Sequence, residues 1–205
     1  MIEKASYFDN LIPNIKAKSF CTKKPFSLQE VFSNLKLNTH KHFHMNQIHS
    51  SIVEEVHENS TEQITADALF TTQKNTTLTV KTADCVPILI YHPLPLIGVI
   101  HAGRKGCEEQ IVIKTLNKIF SKYKLIDRFS IFIGPHICYS CYEINPITKK
   151  RYNLKANVLN QISSSKLKSF NIYESNYCTS CNNNYFYSYR KNNKTTQRLY
   201  SGLSI

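Results

Sequence analysis

The stretch from Thr77 to Ile100 has the fewest ways to fold of any part of this chain. Thr77 to Val80 and Val86 to Tyr91 are rich in β-branched and apolar side chains, and Leu96 to Ile100 continues the pattern, which marks three strands. These runs are nearly continuous in apolar character, so both faces of each strand must be covered. None approaches the ~20 apolar residues that cross a bilayer. A core of the necessary size is available, because 41% of the 205 residues are hydrophobic and 11% aromatic. A chain of that length hides roughly 70% of its unfolded surface on folding, which excludes wholesale disorder. Only five glycines are present and there is no repeat or Gly/Ser linker, so residues 1–205 read as one domain.

The remaining signals alternate between helix and strand. Ser27 followed by Glu30 forms a capping-box pattern ahead of Val31, Phe32 and Leu35, predicting a helix that exits near Asn38. After Gly106, Val112, Leu116, Ile119, Phe120 and Tyr123 fall on one helical stripe, with Glu108 and Glu109 expected in its first turn. Phe129, Ile131 and Ile133 alternate toward Gly134-Pro135 as a strand. Helical residues are expected between Asn145 and Ile162, and strands at Tyr185 to Arg190 and Leu199 to Ile205. The fold class is mixed α/β.

The N-terminus, Met1-Ile2-Glu3-Lys4, lacks the basic-then-apolar pattern of a secretory leader, so the expectation is a soluble cytoplasmic protein. Seven cysteines, an odd number, then argue against a disulfide framework and for reduced thiols that can serve as ligands or nucleophiles. The 26 Lys and Arg exceed the 14 Asp and Glu by 12. Charge of that sign suits polyanions, but the lysines are scattered among asparagines and isoleucines. Neither nucleic acid nor a membrane is an expected partner.

Three polar residues stand at ends of predicted strands: His49 before Ser50-Ser51-Ile52-Val53, Cys85 after Thr82-Ala83-Asp84, and His101 after Gly98-Val99-Ile100. Two imidazoles and a thiolate are a catalytic zinc set that leaves a fourth position for water or substrate. Zinc there would keep Cys85 deprotonated and lower the pKa of its water toward ~7. The same residues also admit a metal-free reading, with Cys85 as nucleophile and His101 as base, or a structural one, as a buried thiol and satisfied core histidines. With Met45 nearby they would mimic a blue-copper set. A separate feature is Cys138-x-x-Cys141 with Cys178-x-x-Cys181, whose inner spacing suits a structural Cys₄ zinc site. The interval of 36 residues between the pairs exceeds ordinary ribbon spacing (178 − 141 − 1), so buried thiols are the default there.

The segments Asn46-Gln47-Ile48-His49, Ala66-Asp67-Ala68-Leu69, Thr82-Ala83-Asp84-Cys85-Val86-Pro87, His101-Ala102-Gly103-Arg104-Lys105-Gly106 and Ile133-Gly134-Pro135-His136-Ile137 occur in that order. Tyr142-Glu143, Cys178-Thr179 and Tyr187-Ser188-Tyr189-Arg190 follow. Together they resemble the YfiH-like family, known as laccase-domain or polyphenol oxidase-labelled proteins and as purine nucleoside phosphorylases. The likeness runs from about His44 to the C-terminus; residues 1–43 are shortened and divergent. The resemblance implies an αββα layered sandwich with mixed sheets, and zinc held by His49, Cys85 and His101. It also implies phosphorolysis of adenosine, inosine and methylthioadenosine, with deamination of adenosine at the same site. The partners implied are small purine nucleosides and phosphate, and a monomer is favoured.

Proton transfer in such chemistry falls to Asp84 or Asp67, whose alternative role is turn capping. Phosphate requires cations, for which Lys23, Arg104, Lys105 and Arg190 are the candidates. Here the chain departs from the family. The usual His-Ala-Gly-Trp-Arg-Gly reads Arg104-Lys105 at its variable pair, exchanging a planar fork for a point charge, and a Thr-Arg-x-Gly-Gly stretch survives only as Thr22-Lys23. Two other activities fit the resemblance: a peptidoglycan-editing amidase and a copper-dependent polyphenol oxidase. A nonenzymatic reading, with the Cys pairs holding zinc and the basic charge meeting RNA, is the remaining alternative.

Overall fold

The computed structural model describes residues 1–4, 6–38 and 40–205. Its strands begin with β1 (Ile2–Glu3), β2 (Tyr7–Asp9), β3 (Lys18–Thr22), β4 (His42–Asn46), β5 (Val53–Glu55), β6 (Gln63–Thr65), β7 (Ala68–Thr71) and β8 (Thr77–Thr82). They continue with β9 (Val86–His92), β10 (Leu96–Ala102), β11 (Phe129–Ile133), β12 (Glu143–Asn145), β13 (Lys150–Arg151), β14 (Phe170–Glu174) and β15 (Leu199–Ser204). The helices are α1 (Leu28–Leu35), α2 (Arg104–Glu108), α3 (Ile111–Tyr123) and α4 (Leu154–Ser163), with a 3₁₀ turn at Tyr139–Cys141.

Two mixed sheets carry the architecture. The first has seven strands in the order β1-β2-β3-β15-β8-β4-β6, the second six in the order β14-β11-β9-β10-β7-β5, and β12 and β13 form a separate hairpin. β4 runs parallel to β8 and β6, β5 to β7, and β11 to β14; the remaining neighbours are antiparallel. Alternation along β9 explains the layering. Val86, Ile88 and Ile90 belong to the cluster that packs on Val112, Leu116 and Ile119 of α3 and Val158 and Ile162 of α4. Leu89 and Tyr91, of opposite parity, join Leu78, Val80, Leu199 and Leu203 of the first sheet in the inter-sheet core. The three strands read from Thr77 onward are thus covered on both faces, as their composition requires.

On the outer face of the first sheet, α1 lays Val31 and Phe32 against Phe20 of β3. Ser27 caps it by accepting the Glu30 amide at 3.2 Å, and Lys36, in the left-handed region at φ 51, ends it two residues before the expected exit at Asn38. The order helix, sheet, sheet, helix is the αββα sandwich implied by the family resemblance. Close packing demands glycine at position 202 of β15, where a Cβ would lie 2.7 Å from the Phe20 ring and 2.8 Å from the Leu78 carbonyl oxygen. Among the described residues, no helix is long and apolar enough to cross a membrane.

Several expectations for individual elements need correction. Gly106 lies inside α2, and Gln110 in a left-handed conformation, φ 63, separates α2 from α3. Glu108 therefore ends α2 and Glu109 caps it, so neither stands in the first turn of the amphipathic helix. Between Asn145 and Ile162 only the part from Leu154 is helical, because Asn153 caps it by accepting the Ala156 amide at 3.0 Å and the preceding residues form the β12–β13 hairpin. Tyr185 to Arg190 is a run of turns and bends, anchored by the fully buried Phe186 and by the Asn192 side chain accepting the Ser188 amide at 2.9 Å.

Candidate metal centre

The chain passes from the first sheet to the second between β8 and β9, and Cys85 lies on that crossing. His49 follows β4 of the first sheet, and His101 is the penultimate residue of β10 in the second. The ligating atoms of these three residues all lie within 4.8 Å of one another, and the two imidazole rings meet edge to face with centroids 4.8 Å apart. Gly103 closes against them. A Cβ there would approach Cys85 Sγ to 3.1 Å and His49 Cδ2 to 3.2 Å, so any larger residue would press on the Cys85 sulfur and the His49 ring.

Asp67, fully buried just before β7, organises two of the three ligands. Its Oδ1 lies 2.7 Å from His101 Nδ1 and accepts the His49 amide at 3.2 Å; its Oδ2 accepts the Ser50 amide and hydroxyl, each at 2.7 Å, and the Ile48 amide at 3.3 Å. Three successive amides converging on one carboxylate hold His49 in the left-handed region at φ 56, a conformation that costs a non-glycine residue roughly 1–2 kcal/mol. With Nδ1 directed to Asp67, Nε2 is the nitrogen left to bind a metal once its proton is displaced, the usual support for a metal-bound histidine. Burial raises the Asp67 carboxyl, but the bonds from His101 and Ser50 bring it down to about 2.

Asp84 shapes the crossing itself. It adopts φ 94, its Oδ1 accepts the Thr179 hydroxyl at 2.7 Å, its Oδ2 accepts the Arg190 amide at 2.8 Å, and its carbonyl accepts the Ile137 amide at 2.9 Å. Both candidate proton carriers therefore spend their oxygens on fixing loops, which is the turn-capping role. Burial pushes the Cys85 thiol up, while the charge and hydrogen bonding of His101, with those of His49, bring it down to about 6. Burial lowers His101, but Cys85 and Asp67 carry it to about 9. A thiolate facing an imidazolium at neutral pH is a charge arrangement that a divalent cation can replace. The donor set fits zinc: borderline-soft, with three protein ligands and one open position.

A cleft of about 200 Å³ opens over these ligands, lined also by Gln47, Lys81 and Arg198. Gln47 is clamped by both ends to the Lys81 backbone, at 2.7 and 2.9 Å. Lys81 and Arg198 were not singled out from the sequence. The signal for Lys81 is a cation interrupting an apolar strand; Arg198 carried none. The four cations named from the sequence stand elsewhere. Lys23 is buried, paired with Glu3 and stacked over Phe8 and Tyr185. Arg104 pairs with Glu108 at 3.1 Å on the exposed face of α2, beside exposed Lys105. Arg190 lies over the Tyr142 ring at 5.0 Å and donates to the Glu143 carbonyl. Met45, the axial ligand of the copper reading, is fully buried in the inter-sheet core.

Fold and site together define a four-layer α/β protein with a His/Cys/His cluster that could hold a metal ion at the seam between its sheets. Residues 27–155 and 145–205 match the family described as multi-copper polyphenol oxidoreductase laccase, and the chain belongs to this YfiH-like family. A purine nucleoside phosphorylase of Campylobacter jejuni is 31% identical over 216 residues, covering 95% of this chain and 94% of its own. An adenosine deaminase, RL5, from an unknown prokaryotic organism is 28% identical over 67% of this chain and 61% of its own. The crystal structure of YlmD from Geobacillus stearothermophilus superposes with a TM-score of 0.84 at 22% identity, covering 100% of this chain and 97% of that one, which bears on the fold.

Proposed function

We propose that the cleft binds one zinc ion through His49, Cys85 and His101 and splits purine nucleosides with phosphate. The observation that carries this reading is the convergence of the three ligand atoms within 4.8 Å, with Asp67 locked onto the far nitrogen of His101. The names of the relatives supply the substrate class: a purine nucleoside phosphorylase aligns over 95% of the chain. Inosine, adenosine and methylthioadenosine are the nucleosides to test.

When bound, zinc supplies a Lewis acid that polarises a substrate atom and lowers the pKa of coordinated water. The chain's own groups do the remainder. Phosphorolysis joins a phosphate oxygen to C1′ of the ribose as the bond from C1′ to the base nitrogen breaks, and the base leaves with that electron pair and gains a proton. Lys81 and Arg198 line the cleft as the two cations that hold phosphate. The Gln47 clamp fixes the backbone that carries Lys81, and Asp67 and Asp84 position His101, His49 and Cys85 without moving protons. Arg104 and Lys105, on the first turn of α2 after Gly103, extend positive charge beyond the cleft.

Deamination of adenosine is a second reading of the same centre, favoured by the aligned adenosine deaminase. One experiment covers both. The zinc-loaded protein is given inosine, adenosine or methylthioadenosine with and without phosphate, and free base, the sugar 1-phosphate and ammonia are measured. Base released only with phosphate is the expected result; no turnover of any of the three nucleosides would overturn the proposal.

A further inference from the structure

The second cysteine constellation is not buried, contrary to the default reading of its spacing. Cys138, Cys141 and Cys178 are partly exposed and Cys181 is exposed, and all four are free thiols. Their Sγ atoms nevertheless lie within 4.8 Å of one another, with Cys141 and Cys181 at 3.5 Å. Four sulfurs around zinc at about 2.3 Å stand about 3.8 Å apart along the edges of a tetrahedron. A disulfide would need about 2.05 Å. The Cys138 and Cys181 amides both point at Cys178 Sγ, at 3.2 and 3.4 Å, as donors do toward a sulfur carrying negative charge.

Topology removes the objection that the pairs stand too far apart in sequence. β11 and β14 are parallel neighbours, with Ile133 opposite Glu174. The chain leaves both strands at the same end of the second sheet, and His136 bridges to Cys178 in the same parallel sense. The 36-residue interval is a crossover through the β12–β13 hairpin and α4, which returns the second Cys pair beside the first.

We propose that Cys138, Cys141, Cys178 and Cys181 bind one structural zinc ion as a tetrathiolate, independently of the cleft. Binding releases the thiol protons to solvent and oxidises nothing. The ion ties together the two loops that hold Asp84: Ile137, next to Cys138, donates its amide to the Asp84 carbonyl, and Thr179, next to Cys178, donates its hydroxyl to the carboxylate. It therefore stiffens the crossing that presents Cys85 without offering a substrate position, since all four sites are protein ligands.

The test uses the full chain with Cys85→Ala, purified without chelators, so that the cleft has lost a ligand. Native mass spectrometry is expected to find one zinc per chain, and zinc X-ray absorption to find four sulfurs at about 2.3 Å. Adding Cys178→Ser and Cys181→Ser should abolish that zinc. The absorption measurement needs only the folded single variant, and His49→Ala gives the same readout if Cys85→Ala is insoluble. A zinc-free Cys85→Ala protein, nitrogen or oxygen in the zinc shell, or a Cys141–Cys181 disulfide in the fresh protein would each overturn the proposal.

Discussion

Replacing Asp67 by asparagine tests whether the cleft is organised around a buried charge. The carboxylate receives donors from Ile48, His49, Ser50 and His101, and an amide can keep only one oxygen as acceptor. If that oxygen serves Ser50, the NH₂ group faces His101 Nδ1, so the imidazole must carry its proton on Nε2, the nitrogen needed for metal. Zinc affinity at the cleft should fall about 10–100-fold, as for loss of other metal-site supports. The metal-free chain should lose stability as well. With the folded carboxyl at about 2 against an ordinary value of 3.8, the charged form contributes roughly 2 kcal/mol. Because the folded value is the lower one, the unfolded chain binds more protons between those values. The contribution is complete above pH 3.8 and fades as pH falls toward 2. Unsatisfied donors add about 1–3 kcal/mol that does not depend on pH. Urea denaturation of chelator-treated wild-type and Asp67→Asn proteins, from pH 6 downward, reads the difference, and a chromophoric chelator in a Cys178→Ser background reads the cleft affinity. Equal stabilities at pH 6, or zinc affinity within twofold of wild type, would refute this account of Asp67.

Two further outcomes are expected. Lys81→Ala and Arg198→Ala should each raise the KM for phosphate about tenfold, the value of one charge-assisted contact, while leaving the KM for nucleoside near wild type in steady-state assays. His42, hydrogen-bonded to Thr79 at 2.8 Å and edge-on to Phe32, is pushed by burial from 6.5 down to about 4, with His44 adding to the effect. Protons therefore favour the unfolded chain between those values, and stability should fall by up to roughly 3 kcal/mol as pH drops through them. His42→Gln should flatten that slope in urea denaturation at pH 7 and pH 4.5; an unchanged slope would show that His42 is not responsible.

The parts legible in the sequence are those governed by local chemistry. Apolar strands β8 to β10, the Ser27 cap and the stripe of α3 each rest on residues a few positions apart, and they appear where composition places them. The family motifs extended this to the layering and to His49, Cys85 and His101, which no spacing rule joins because two sheets separate them along the chain. What was illegible depends on tertiary partners. Gln110 takes a left-handed turn that splits α2 from α3, a conformation glutamine does not advertise. Tyr187 and Tyr189 have the alternation of a strand, yet Phe186 is drawn into the inter-sheet core and the segment winds into turns. Lys23 matched a phosphate-binding position by motif but is neutralised by Glu3. The convergence of the Cys pairs is hidden for a topological reason: a spacing rule drawn from local ribbons cannot foresee that a parallel crossover will bring position 178 back beside position 138.

The position of Cys85 on the crossing has a mechanical consequence. Of the three donor side chains, one belongs to the loop leaving the first sheet, one to the floor of the second, and one to the link between them, so a bound ion would act as a rivet through both plates. Sliding one sheet over the other by even an ångström would pull the donors out of register. Stabilisation by metal should therefore grow with free metal concentration as binding to the folded state alone requires, and stripping the ion should slacken the packing between the sheets long before either sheet unravels.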